Sequence, residues 1–230
     1  MTVSRALVLS LTLMVLVFPR VLLAQNQLSQ SVPSYEENEL VIGDFRNNGL
    51  TNWQERSFVG NTRYRIVEMD GEKVLSASTR SSASALYREL DVDVEKTPIL
   101  SWSWRVENVY NIDDPERKAG DDYAARLYVV VKYGFFPWQT RALNYIWCNK
   151  QTPKTSWPNP FSKKAIMIPV RCGIQGLGQW HQESVNVAED YYRFFGHKID
   201  KAHGVAIMSD SDNANGTAQA YYKNIVFSGR

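Results

Sequence analysis

Histidine and cysteine are scarce in this chain, three of one and two of the other in 230 residues, and the scarcity excludes a good deal of chemistry. Neither Cys148 nor Cys172 has a CxxC partner or a histidine at ligand spacing, so no zinc site is expected. No serine near His181, His197 or His203 sits in the glycine pattern of a nucleophile elbow, which argues against a hydrolytic triad. Phosphate-cradling glycine loops are absent as well. Lys and Arg never gather into a long cluster, so nucleic acid, whose binding leans on phosphate neutralisation, is not an expected partner.

Long apolar runs are missing too, apart from one at the start. Arg5 is followed by an apolar stretch from Ala6 to Phe18 that Pro19 and Arg20 close, well short of the roughly 20 residues of a membrane-spanning helix. It reads as a secretory signal peptide over 1–24 with cleavage after Ala24, leaving no stable membrane anchor. Its removal takes Arg5 and Arg20 from the 26 basic residues and levels the count with the 24 acids. Residues 25–39 are a polar leader, and a single domain is expected over 40–230. The expected address is periplasmic or secreted, where Cys148 and Cys172 have two open fates, a disulfide or two buried thiols.

What the domain does contain is strand-length runs of period-two alternation separated by Gly, Asn, Asp and Pro. Arg63–Met69 and Glu72–Ser78 flank Asp70-Gly71, a pair suited to the positive φ angles of a tight hairpin. Ala83–Val94 and Ile99–Val106 follow, the second with Leu100, Trp102, Trp104 and Val106 on one face. Tyr123–Tyr133 is more continuously apolar and reads as a central strand covered on both faces. Ala142–Trp147, Ile166–Cys172, Gln179–Val187, His203–Ser209 and Ala218–Ser228 complete the strands. Ala188–Phe195 is the one helix, with Asn186 as its cap and Gly196 as its stop. The fold class is all-β, an antiparallel β-sandwich of jelly-roll, galactose-binding-like type with one short helix.

Several constellations could carry function. Asp210-Ser211-Asp212-Asn213 gathers hard oxygen donors in a loop, with Asp210 and Asp212 as ligands if Ca2+ is held there and an Asx-rich turn as the other reading. No other cofactor is expected. Arg126 lies on an otherwise apolar strand and needs an anionic partner, with Glu183 and the Asp210–Asn213 loop as candidates and Asp122 too far along the chain. Asp91, Asp93 and Glu95 alternate on one strand face and are the acids a polysaccharide hydrolase would use. Trp138 and Trp157 sit in Pro-rich stretches and read as exposed loop aromatics, suited to a sugar ring or to another envelope protein.

Asp44-Phe45, Gly49-Leu50 and Trp53, then Ser84–Tyr87, Leu100–Trp104, Gly120–Arg126, Asn144–Trp147 and Asp210–Asn213 together resemble a bacterial exported family, the domain of unknown function 3047. The opening Asp44-Phe45 with Trp53 also resembles, at the level of fold, galactose-binding-type jelly rolls, which include carbohydrate-binding modules. The resemblance and the clustered polar residues imply a non-catalytic module for an envelope or extracellular saccharide. Its expected site is Asp122, Arg126, Asn144, Trp147, Asp210, Asp212 and Asn213. The alternatives are the acidic hydrolase and an assembly protein that recognises an envelope partner.

Overall fold

The computed structural model describes residues 39–112, 114–134, 136, 139–151 and 155–229. The signal segment, nearly all of the polar leader, and Trp138 lie outside the described residues. The strands are β1 (Leu40–Gly43), β2 (Gln54–Val59), β3 (Arg63–Met69), β4 (Glu72–Arg80), β5 (Ala83–Asp93), β6 (Ile99–Val106) and β7 (Arg126–Lys132). After these come β8 (Thr140–Cys148), β9 (Trp157–Pro158), β10 (Ala165–Cys172) and β11 (His181–Asn186), then helix α1 (Val187–Phe195), β12 (Lys201–Asp210) and β13 (Thr217–Ser228).

Two sheets form the antiparallel sandwich the alternation predicts. One runs β11-β6-β13-β4-β3 with β1 beside β13, the other β2-β5-β12-β7-β8-β10-β9. Among the described residues the one parallel neighbour pair is β8 with β10. Between the sheets lies a core that includes Trp102, Trp104, Tyr145, Trp147, Tyr222 and Phe227, all fully buried. Strand alternation places them: Leu143, Tyr145 and Trp147 of β8 face the core, so Asn144, Ile146 and Cys148 face away.

Local chemistry decides the ends of elements. Asp70 and Gly71 have φ of 53° and 79°, the left-handed values that the tight β3–β4 turn requires. The Asn186 side chain accepts the Glu189 N–H at 3.1 Å to cap α1, and Gly196 ends it at φ 76°. Cys148 and Cys172, at the ends of the parallel pair, are joined in a disulfide.

The two halves of the seven-stranded sheet's outer face differ. Over β8 and β10 a second small cluster of Tyr123, Ile146, Cys148, Trp157, Met167 and Cys172 covers it. Trp157, expected as an exposed loop aromatic, is therefore buried. Over β2, β5, β12 and β7 the outer face is open among the described residues. The outward side chains Tyr128 and Val130 of β7 are only partly covered, where an apolar run had suggested cover on both sides.

Candidate functional site

The open half is floored by small residues. Gly204 and Ala206 on β12 and Ala85 on β5 project outward, and larger neighbours stand around them. Ala206 is in register with Tyr87 on one side and Tyr128 on the other, which sets two rings about 10 Å apart across three strands. Gly204 stands between Glu89 and Val130, at a break in register where a Cβ would come within 3.0 Å of the Arg88 carbonyl oxygen. The outcome is a trough of about 650 Å³. Phe58 on edge strand β2 and Phe136 in the β7–β8 connection line it as well, 56% and 54% exposed.

Its polar groups are few. The Arg56 guanidinium lies 5.5 Å from the Phe58 ring centre. Lys132 Nζ is 3.3 Å from Glu89 Oε2, and the Lys132 backbone N–H donates to His203 Nδ1 at 3.1 Å. Tyr87 donates its hydroxyl to Gln54 Oε1 at 2.9 Å. A wall of aromatic faces with sparse hydrogen-bonding groups suits a ligand that is apolar on its faces and polar on its edges.

Behind the Met208 end of the trough is a buried charge cluster, and most of the sequence-predicted site is there. Arg126 is 1% exposed. Its Nε donates to Asp210 Oδ1 at 3.0 Å, its Nη2 to Asp210 Oδ2 and to the Asp121 carbonyl, and its Nη1 to the Asp121 carboxylate at 3.3 Å. The Tyr123 ring packs on the guanidinium at 4.6 Å, and its backbone N–H donates to Asp210 Oδ1. Asp122 accepts the Asn213 side-chain N–H at 3.0 Å and the Ala214 backbone N–H, pinning the Asp210–Asn213 loop. Arg126 Nη1 also donates to the Tyr128 hydroxyl at 3.2 Å, so the cluster orients one wall of the trough.

Asp122, Arg126, Asp210, Asp212 and Asn213 thus come together, while two expected site residues stand elsewhere. Trp147 is fully buried in the core, donating to the Gly173 carbonyl at 3.0 Å, and shows no face to solvent. Asn144 is buried under the second cluster, its Nδ2 3.0 Å from the Met167 sulfur. Glu183 pairs with Arg171 rather than Arg126. Asp91 and Asp93 hold Lys201 and Lys96 on the surface, and Asp93 also accepts the Glu95 backbone N–H.

Oxygens of Asp122, Asp210 and Asp212 lie within 4.8 Å of one another, which brings calcium into question. The donor set does not fit it. Both Asp210 oxygens already hold the Arg126 cation, and both Asp122 oxygens accept N–H groups. A dication would sit against a guanidinium.

Burial pushes the Asp210 carboxyl up to about 8, against the downward pull of Arg126 and with a further push from Asp121. Burial also raises Asp190 and Asp212, the latter with help from Asp122. An acid raised on folding holds a proton that the unfolded chain has released above its ordinary value near 4, so stability falls as pH rises from there to about 8. Thermal melts should accordingly be higher at about pH 5.5 than at about pH 8.5. A flat or rising profile would show that the Arg126 pair holds Asp210 ionised against its burial.

The residues of the trough that sequence reasoning missed are Phe58, Tyr87, Tyr128 and Phe136 with their small floor. One signal was present, since Gly204-Val205-Ala206-Ile207 alternates small with large where a solvated strand would alternate polar with apolar.

Fold and site together define an antiparallel β-sandwich with an aromatic-walled trough on one sheet. The chain belongs to the family described as protein of unknown function (DUF3047), whose profile matches residues 51–226. Among curated proteins none matches it. Solved structures similar to it include a family 11 carbohydrate-binding module of a cellulosomal cellulase of Clostridium thermocellum, at 13% identity and TM-score 0.45, covering 84% of this chain and 95% of that one. Another is the K1 cleaved adhesin domain of Lys-gingipain from Porphyromonas gingivalis, at 12% identity and TM-score 0.42, covering 84% and 97%. A family 30 carbohydrate-binding module of a second C. thermocellum cellulase matches at 8% identity and TM-score 0.43, covering 78% and 92%.

Proposed function

We propose that this protein is an exported, non-catalytic module that binds an envelope or extracellular saccharide along the trough. The observation that carries the reading is the floor of Ala85, Gly204 and Ala206 running between aromatic rings. A sugar ring offers an apolar face to Tyr87, Tyr128 or Phe58 and hydroxyls to Arg56, Glu89 and Lys132, and the small floor lets it approach. Export is supported by the signal-like start and by the Cys148–Cys172 bridge, a bond suited to oxidising compartments.

Binding without cleavage is favoured by the carboxylate count. Hydrolysis of a glycosidic bond needs two carboxyl groups flanking it, whereas Glu89 is the one acid among the trough's described lining residues. Asp121 and Asp210 are turned onto Arg126 and serve the site through Tyr128. The assembly-protein reading loses Trp157 to the interior.

Retention on a panel of immobilised envelope and plant polysaccharides tests this. Phe58→Ala and Tyr87→Ala should each weaken binding about 10- to 100-fold, or roughly 1.4–2.8 kcal/mol, with unchanged melting temperature and no new reducing ends. Wild-type affinity in both variants, or reducing ends that accumulate, would defeat the reading.

A further inference from the structure

The charges around the trough are uneven. Its described lining residues include one acid, Glu89, against the cations Arg56, Arg88 and Lys132. Glu89 is committed to Lys132 in a pair whose side chains are 65% and 46% exposed, an arrangement worth little and easily exchanged for another anion. Arg56 has no carboxylate within ion-pair reach among the described residues. Its neighbour Glu55 accepts from Ser84 Oγ at 2.7 Å, away from the trough, and Gln54 is held by Tyr87. Arg88, which also lines the trough, donates its Nη1 to the Ile42 carbonyl at 2.7 Å.

An arginine on an exposed edge strand, steadied against the Phe58 ring and without a counterion among the described residues, is a preorganised fork of donors. Its geometry matches the paired oxygens of a carboxylate or a sulfate. Resting on the saccharide reading of the trough, we propose that the ligand is an anionic glycan, a chain bearing carboxylate or sulfate groups, and that Arg56 selects for its charge.

The buried acids do not cancel this. Arg56, Ala85, Met208 and Arg126 follow one another across adjacent strands, which puts the Asp121–Arg126–Asp210 cluster about 14 Å from Arg56. At that distance the cluster's own cation, Arg126, offsets part of its acidic charge. At the other end Lys132 can leave Glu89 for a second ligand anion while His203 stays fixed on the Lys132 backbone.

Isothermal titration of the purified protein with four polymers tests the assignment: polygalacturonate, its methyl-esterified form, dextran sulfate and a neutral galactan. The expected result is at least about tenfold tighter binding of one acidic polymer than of the ester or galactan, weakening between about 50 and about 300 mM NaCl. Preference for polygalacturonate identifies a carboxylate ligand, preference for dextran sulfate a sulfated one. Arg56→Gln should remove most of the difference, Arg56→Lys should restore part of it, and Lys73→Gln, away from the trough, should leave it intact. Affinity for both acidic polymers no greater than for the ester and the galactan, or a preference that survives Arg56→Gln, overturns the charge assignment and leaves the saccharide reading standing. Absence of binding to all four polymers overturns both.

Discussion

Replacing Arg126 with methionine is expected to destabilise the protein by about 3–5 kcal/mol, because the change strands buried carboxylates without a counterion. The guanidinium is 1% exposed and bonds Asp121, Asp210 and Tyr128 at once, so no water can take its place without opening the fold. At about 2–4 °C per kcal/mol for a chain of this size, the melting temperature should fall by roughly 6–20 °C. Removing the charges together reverses much of the loss. On the Arg126→Met background, Asp121→Asn with Asp210→Asn should recover several degrees, since a neutral buried cluster costs less than a half-neutral one. Circular-dichroism melts of the single and triple variants decide the matter. A single variant that melts within about 2 °C of wild type would show that Arg126 is not the keystone of this corner.

That outcome bears on what the sequence could disclose. Strands whose alternation buries one face were legible, and β3, β6 and α1 fall where their turn and cap residues predict. Strand β2 was not, because all six of its residues are exposed and it has no buried stripe to betray it. Strand β9 has only two residues, and its Pro-rich flanks suggested exposure where Trp157 is covered. For Arg126 the Asp210 loop was among the partners foreseen, but Asp121 was missed on the assumption of an extended chain from Tyr123. In fact β7 begins at Arg126, and the preceding segment folds back and brings Asp121 onto the guanidinium. Asn144 and Trp147 are three positions apart on β8 and so face opposite sides of the sheet, where no single ligand could touch both. The trough eluded the sequence for a related reason. A glycine or alanine signals a floor only once the outward face, the neighbouring strands and their register are known.

The parallel β8–β10 pair leads to the second large effect. The disulfide closes a separation of 24 residues, for which the chain-entropy account gives about 3 kcal/mol. Cys148→Ser with Cys172→Ser should therefore lower the melting temperature by roughly 6–12 °C. The loss should not be spread evenly. Outside the bridge, the segment that covers β8 is held by the small cluster around Trp157 and Met167, by Gly173 N–H donating to the Cys148 carbonyl at 2.8 Å, and by Asn159 donating to Asp121 at 3.0 Å. Parallel pairing contributes slightly less per residue than antiparallel, so this edge is the part most dependent on a crosslink. Hydrogen exchange should accelerate first in β8, β10 and the covering segment of the double-serine variant, and β3, β4 and β13 should stay protected. Loss of the cover would also admit water to Asp121, so the serine pair and Arg126→Met should combine to less than the sum of their separate costs. A uniform acceleration across both sheets, or strict additivity, would mean that the bridge acts on the unfolded chain alone and leaves the charge cluster untouched.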